Sequence, residues 1–356
     1  MVAVAVATLS ACGAKEVDIA VNVVSTACQA DLDPFDGVNV IEVRITGPGI
    51  EPPLLTRVQR TEGRIQIPQI PAGIDRIIEI RGLAEMSSAR PISIGRSLPI
   101  TIPDVLTDSL RRQDINIYMR KIDTFSPPVS AAAPRDCSTM RLQRAAHTAT
   151  LLKDGRVFIA GGFRIEAPNR VALVDTEFFD PNKGTFEQGP VLALSNGAIQ
   201  IPKAFHTATL LRNGQVLLFG GERYQPSSAT PSPQTSVLIF DVEQGAYGAV
   251  PSRTTPPNVA RTRHLAIAEG SGRVLIVGGQ KGSNLAAVTE VEWFDPNTNR
   301  VEVLASENLA RIEAAGAAVQ DGGIVVVAGG VDGNGQLTNA VDYFKFDGST
   351  FVRAGA

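Results

Sequence analysis

The chain of 356 residues has only three histidines, three cysteines, one tryptophan and four tyrosines, so each scarce residue can be held against the chemistry it would have to perform. No cysteine follows Cys137, which removes thiolate nucleophiles and thiolate metal ligands from everything C-terminal to it. No Gly-x-Ser-x-Gly elbow occurs, so a hydrolase of that architecture is excluded. A formal net charge of -3, without a run of Lys or Arg interleaved with aromatics, leaves no basic field to follow a phosphate backbone. Nucleic acid is therefore not an expected partner. No apolar stretch approaches the roughly 18 residues needed to span a bilayer, and no long segment repeats its apolar residues with the helical period of about 3.6. Glycine and proline are abundant instead, 33 and 23 residues, while charged residues make up 19%. That balance describes short strands joined by many turns, an all-β chain with room for two or more domains.

Residues 1–12 read MVAVAVATLSAC, an apolar run ending in Leu9-Ser10-Ala11-Cys12 and followed at once by polar residues. This resembles the lipobox that bacterial signal peptidase cuts before a lipid-modified cysteine. The resemblance implies a signal segment over 1–12, lipid attachment at Cys12, and a cell-envelope protein held at the outer membrane or cell surface by lipid alone. The same run also reads as a strand rich in Ala and Val. With Cys12 assigned to acyl chains, Cys28 and Cys137 are left as an even pair in an oxidising compartment and are expected to form a disulfide. A loop of that length would gain about 4 to 5 kcal/mol in the chain-entropy account.

Residues 17–123 contain about seven runs with the period of two that marks half-buried strands. Ile41, Val43 and Ile45 alternate with Glu42, Arg44 and Thr46; Ile115, Ile117 and Met119 alternate with Asn116, Tyr118 and Arg120. Strands at this spacing predict a β-sandwich. The stretch Ile67-Pro-Gln-Ile-Pro-Ala-Gly73 resembles a corner of transthyretin-like and immunoglobulin-like bacterial surface domains. Residues 124–137, rich in Pro and Ala, read as a semi-rigid linker.

From residue 140 to 356 the chain repeats itself. The units open RAAHTATLLKDGRVFIAGG at Arg144, KAFHTATLLRNGQVLLFGG at Lys203, RTRHLAIAEGSGRVLIVGG at Arg261 and RIEAAGAAVQDGGIVVVAGG at Arg311. Each ends in a diglycine: Gly161-Gly162, Gly220-Gly221, Gly278-Gly279 and Gly329-Gly330, spaced 51 to 59 residues apart. A second shared element follows, TEFFDPNKGTF, VLIFDVEQGAY, VEWFDPNTNRV and YFKFDGSTF, in which Asp opens a hairpin turn. One unit thus supplies four strands, the content of a propeller blade, with glycines where neighbouring backbones converge and Phe179, Phe240, Phe294 and Phe346 as filling between blades. These units resemble kelch repeats of the bacterial kind that opens Arg-x-x-His-Thr-Ala-Thr. The fold expected is an N-terminal β-sandwich followed by a kelch-type β-propeller with four visible blades. Such propellers generally have more blades than four, so the expectation is a partial ring, with a closed four-bladed ring as the alternative.

Candidate chemistry is sparse. His147, His206 and His264 occupy one repeat position, where the fourth unit has Ala314 or Ala315; a shared structural role is the expectation, and no metal or other cofactor is assigned. Arg144, Lys203, Arg261 and Arg311 read as inter-blade partners. A kelch propeller with a sandwich also resembles galactose oxidase, yet that copper site needs a tyrosine crosslinked to a cysteine beside two histidine ligands, and no cysteine lies beyond Cys137. Asp332-Gly-Asn334-Gly-Gln336 lacks the later residues of a calcium loop, and Asp31, Asp33 and Asp36 lack its spacing. The longest loop candidates are Arg164 to Val174 and Arg223 to Ser236, with Tyr224 as a contact residue. The expected function is non-enzymatic binding of a protein or polysaccharide through such loops. The alternative is a secreted carbohydrate-active enzyme with catalytic residues outside this chain.

Overall fold

Alternation at period two governs the N-terminal part of the chain. The computed structural model describes the protein apart from residues 1–2, 10–16, 26–27, 29–31, 61–69, 103–111, 134, 195–196, 226–227, 252–257, 320–322 and 354–356. Cys12 and Asp31 lie outside the described residues, as do residues 67–69 of the corner at 67–73. Two compact units result: Met1–Thr139 with Asp180–Phe186, and Met140–Phe179 with Glu187–Ala356.

The first unit is built from β1 (Ala3–Leu9), β2 (Val17–Ser25), β3 (Val40–Thr46), β4 (Leu54–Gln59), β5 (Gly73–Leu83), β6 (Ser93–Arg96), β7 (Ile100–Ile102) and β8 (Arg112–Lys121). They form one sheet in the order β1-β2-β8-β6-β5-β3-β4, with β7 on β5. The pair β2 and β8 is parallel. The sheet curls so that Val21 and Val23 of β2 and Ile115, Ile117 and Met119 of β8 share a core with Ile41, Val43 and Ile45 of β3 and Ile78 and Ile80 of β5. On the opposite pleat of β3, buried Glu42 accepts from Arg57 Nε at 2.7 Å and lies within salt-bridge distance of Arg44 and Arg81. Residues 3–9 of the apolar N-terminal run pair antiparallel with β2, from Ala3 opposite Val23 to Leu9 opposite Val17. Cys28 and Cys137 are joined in a disulfide with their Cα atoms 5.2 Å apart.

The second unit consists of four antiparallel four-stranded blades, each a meander, with an inserted hairpin in the first three. Blade 1 runs through Thr148–Leu151, Val157–Ala160, Thr176–Asp180 and Thr185–Gln188. Blade 2 uses Thr207–Leu210, Val216–Phe219, Val237–Asp241 and Ala246–Ala249. Blade 3 uses Leu265–Ala268, Val274–Val277, Glu290–Asp295 and Arg300–Asn308, and blade 4 Ala315–Val319, Ile324–Ala328, Val341–Phe346 and Phe351–Arg353. Because side chains alternate across each strand, both faces of an inner blade are apolar and each meets a different neighbour. Phe158 and Phe178 of blade 1 meet Leu218, Leu238 and Phe240 of blade 2. Leu217 and Phe219, on the other face of blade 2, meet Ile276 and Phe294 of blade 3. Leu275 and Trp293 of blade 3 meet Val325, Val327 and Phe344 of blade 4.

Strand register corrects one sequence expectation. Val157, Val216 and Val274, each four residues before a diglycine, face Phe179, Phe240 and Phe294. The equivalent Val325 faces Phe344, not Phe346. Phe344 is fully buried, whereas Phe346 is half-buried. The last hairpin of blade 4 is longer than its counterparts: Asp347 caps its turn by accepting from the N–H groups of Ser349 and Thr350, as Asp241 does for Glu243 and Gln244 in blade 2. Matching turns by sequence therefore displaces the core position by two residues. Truncating Phe344 to Ala should cost about 3 to 5 kcal/mol of unfolding free energy, and truncating Phe346 distinctly less. Urea denaturation of the two variants checks this; an equal or reversed order would mean that the assigned register is wrong.

Candidate functional site

At the inner end of each blade the backbones approach too closely for side chains. A Cβ on Gly161 would lie 2.2 Å from the carbonyl oxygen of Lys203, one on Gly220 2.4 Å from that of Arg261, and one on Gly278 1.9 Å from that of Arg311. The next glycine of each pair donates its N–H to that same carbonyl: Gly162 to Lys203, Gly221 to Arg261 and Gly279 to Arg311, at 2.7 to 2.8 Å. Both glycines have positive φ. The diglycine thus joins each blade to its successor through the main chain.

The side chains of the four cations turn the other way, into their own blades. Arg144 donates to Gly161 O, Asp175 O and Glu177 Oε1 at 2.6 to 2.8 Å. Arg261 makes the same set with Gly278 O, Glu290 O and Glu292 Oε2, and Arg311 reaches Asp342 Oδ2 at 2.8 Å. The expectation of inter-blade partnership therefore holds for the carbonyls of Lys203, Arg261 and Arg311 and not for the side chains. The physical reason is reach. Arg144 and Arg261 each sit beneath the diglycine turn of their own blade, where the guanidinium reaches two main-chain carbonyls.

The histidines link blades directly. Nε2 of His206 lies 3.0 Å from Thr148 Oγ1 of blade 1, and Nε2 of His264 lies 2.9 Å from Thr207 Oγ1 of blade 2. Burial, reinforced by Lys203 and His147, pushes His206 down to about 3, and burial beside Arg261 takes His264 well below its ordinary value. Both are neutral at physiological pH. Register places Ala314, not Ala315, at the fourth equivalent position, because Ile312 bridges to Val331 as Ala145 does to Phe163. Among the described residues no group of three or more His, Cys, Asp or Glu is arranged to hold a metal ion.

Between the second and third strands of blades 1, 2 and 3 the chain inserts small hairpins: Phe163–Glu166 with Asn169–Ala172, Glu222–Gln225 with Ser228–Pro233, and Gln280–Lys281 with Ala286–Ala287. The first two contain the loop candidates from the sequence, and they pack against each other. Here the structure assembles a group that crosses three blades. The Arg170 guanidinium stands 4.8 Å from the centre of the Phe163 ring. Phe163 stacks on Phe205 with centroids 5.8 Å apart, and Arg263 covers Phe205 at 4.1 Å. Each guanidinium over a ring is worth about 0.5 to 1 kcal/mol at an exposed site and more where water is excluded. Arg263 also donates to Gln280 Oε1 and Glu222 Oε1 at 3.1 and 3.3 Å. Tyr224 closes the cluster, edge-on to Phe163 and hydrogen-bonded to Glu222.

Tyr224 is buried, so it supports this cluster and is not the exposed contact expected from the sequence. Burial and the Glu222 carboxylate raise its pKa. Glu222 is itself wholly buried, and its Oε2 has no hydrogen-bond partner. The other acidic candidates are accounted for locally. Asp332 Oδ1 accepts from the N–H groups of Asn334 and Gln336, closing a turn; Asp33 accepts from Phe35 N, and Asp36 pairs with Lys121.

Sequence reasoning passed over Phe163, Phe205 and Arg263. The residue before each repeat histidine, or before Ala314, has a left-handed backbone in all four units: Ala146 at φ 53°, Phe205 at 52°, Arg263 at 55° and Glu313 at 53°. Bulky residues rarely tolerate that region. A phenylalanine and an arginine held there are the signal, and it is conformational. No family model matches the chain, and no curated protein is similar to it.

The buried imidazoles set a pH dependence. A base whose folded pKa lies below its unfolded value leaves the unfolded chain holding more protons between the two, so stability rises with pH across that window. For His206 the window runs from about 3 to the ordinary value of 6.5. The unfolding free energy should therefore be complete above about pH 6.5 and decline as pH falls toward 3. The His206→Gln variant should show a shallower decline in denaturation curves collected across that range. An unchanged slope would show that this imidazole titrates as it does in water.

Proposed function

We propose that this is a kelch-repeat protein of the bacterial cell envelope, lipid-anchored through Cys12, whose blade array binds a protein or polysaccharide without chemical turnover. The observation that carries the binding part is the stack Arg170, Phe163, Phe205, Arg263, which lies among the inserted hairpins of consecutive blades. Rigid aromatic surface with planar cations suits recognition of extended ligands, because rings offer area at little entropic cost and arginine adds directed donors. Loops carried on a stiff scaffold are where such function concentrates. The kelch reading is supported by four units with a shared opening, a diglycine and a four-stranded meander each. The anchor reading rests on the residues before Cys12 alone. No helix among the described residues is long and apolar enough to cross a membrane.

Two measurements test this. On arrays of envelope polysaccharides and surface proteins, a ligand retained by the wild-type chain should lose about 10-fold or more in affinity on Phe205→Ala or Arg263→Ala, the loss typical of a central contact. Binding unaffected by both changes would remove the stack from the reading. Expressed in a bacterium that processes lipoproteins, the protein should fractionate with membranes, and Cys12→Ala should release it to the soluble fraction. Membrane association that survives Cys12→Ala would refute the anchor.

A further inference from the structure

Blade 2 departs from the other blades at its cation. In blades 1, 3 and 4 an arginine meets a buried carboxylate: Arg144 with Glu177, Arg261 with Glu292, Arg311 with Asp342. In blade 2 the cation is Lys203, and Leu238 occupies the position of the carboxylate, paired with Leu218 as Asp342 is with Val327. Two changes in one pair replace a group that never deprotonates by one that does, and remove the charge that would keep it protonated.

Lys203 is completely buried. Its Nζ lies 2.7 Å from Gly220 O, 2.9 Å from Ser236 O and 2.7 Å from Ser236 Oγ. As an ammonium it donates one N–H to each of the three, and the Ser236 hydroxyl in turn donates to Gln234 Oε1 at 3.4 Å; loss of one proton from Nζ leaves a lone pair facing Ser236 Oγ. The titratable groups that act on this end of the blade are His206 and His264, both neutral, with the charged Arg261 of the next blade beside His264. No carboxylate among the described residues pairs with Lys203. Burial brings its pKa down to about 7.

Ser236 also lines a cleft of about 380 Å³ walled by Ile199, Ile201, Pro202, Pro233 and Arg223. The main-chain N–H groups of Thr235 and Ser236 have no acceptor among the described residues. They are the donors available to a developing oxyanion.

We propose that Ser236 is a nucleophile and Lys203 its general base, acting on an acyl ester held in this cleft. Ser236 Oγ bonds to the acyl carbon while its proton passes to Lys203 Nζ. The adduct collapses as the bond from the acyl carbon to the alcohol oxygen breaks, and Lys203 returns the proton to that oxygen. Water, deprotonated in turn by Lys203, releases the carboxylic acid and restores the serine. The site lies apart from the arginine–aromatic stack and does not rest on the binding reading.

The full chain treated with an alkyl fluorophosphonate and analysed by peptide mass spectrometry tests this. Ser236 should be modified, with a rate that rises with pH through a midpoint near 7. Ser236→Ala should abolish labelling of that peptide. Lys203→Arg, which restores the cation of the other blades, should slow labelling on the order of 100-fold. Leu238→Glu keeps the lysine and supplies the carboxylate of the other blades, so it should move the midpoint upward. A lysine that only fills a structural place would move neither rate nor midpoint. Absent labelling at Ser236, or labelling indifferent to both Lys203→Arg and Leu238→Glu, would overturn the proposal.

Discussion

The second unit depends on one contact repeated three times: the N–H of a diglycine donating to the carbonyl of the first residue in the next blade's opening motif. Nothing larger than hydrogen fits between those backbones, since a Cβ at Gly161, Gly220 or Gly278 would stand 1.9 to 2.4 Å from a main-chain oxygen. A backbone oxygen cannot swing aside as a side chain can. Any substitution must therefore push two blades apart, and the cost falls on the cores between them, where Phe158 stacks on Phe240 at 4.6 Å and Trp293 lies against Phe351. Spacing at the inner end and packing between the faces are thus one constraint.

Buried cations follow from that constraint. The tight turn at the diglycine leaves a carbonyl such as Gly161 O pointing inward, where an unmet acceptor would cost about 1 to 3 kcal/mol. A guanidinium satisfies two carbonyls and a carboxylate together, and the carboxylate offsets the cost of burying its charge. Blade 2 meets the same two carbonyls with an ammonium and adds a hydroxyl in place of the carboxylate. Its charge is the less well compensated of the set, and burial brings the pKa of Lys203 down to about 7.

The alternation of Ile41, Val43 and Ile45 with polar neighbours was legible because a strand's period of two maps directly onto inside and outside. The diglycines and the four-strand content of each unit were legible because repetition averages out local accident. What could not be read was register where units differ in length. The turn at Asp347 is preserved while its hairpin is longer, so sequence matching selected Phe346 over Phe344. The direction of the cation side chains was hidden for a related reason: Arg144 reaches Glu177, 33 residues away, and that pairing exists only once the strands are laid side by side. Tyr224 looked exposed because its loop is rich in Ser and Pro, yet the hairpin folds the ring onto Phe163.

The arginine–aromatic stack shows how such a site can arise from a structural need. Each blade begins with a left-handed residue, and its main chain is held from both sides: Phe205 N donates to Ala146 O of the preceding blade, and Phe205 O accepts from Arg263 N of the following one, both at 3.0 Å. A left-handed side chain-bearing residue costs roughly 1 to 3 kcal/mol, a strain that persists only where the surroundings over-determine it. These inter-blade bonds do so. Once the backbone is fixed, the side chain at this position is free to vary from Ala to Phe, Arg and Glu, since the fold asks nothing of it beyond φ. Phe205 and Arg263 answer the strain in part by stacking, which pins each against its neighbour and leaves a rigid surface across blades. Variable side chains on a strained main chain held in one conformation are therefore where this architecture can change its surface without changing its fold.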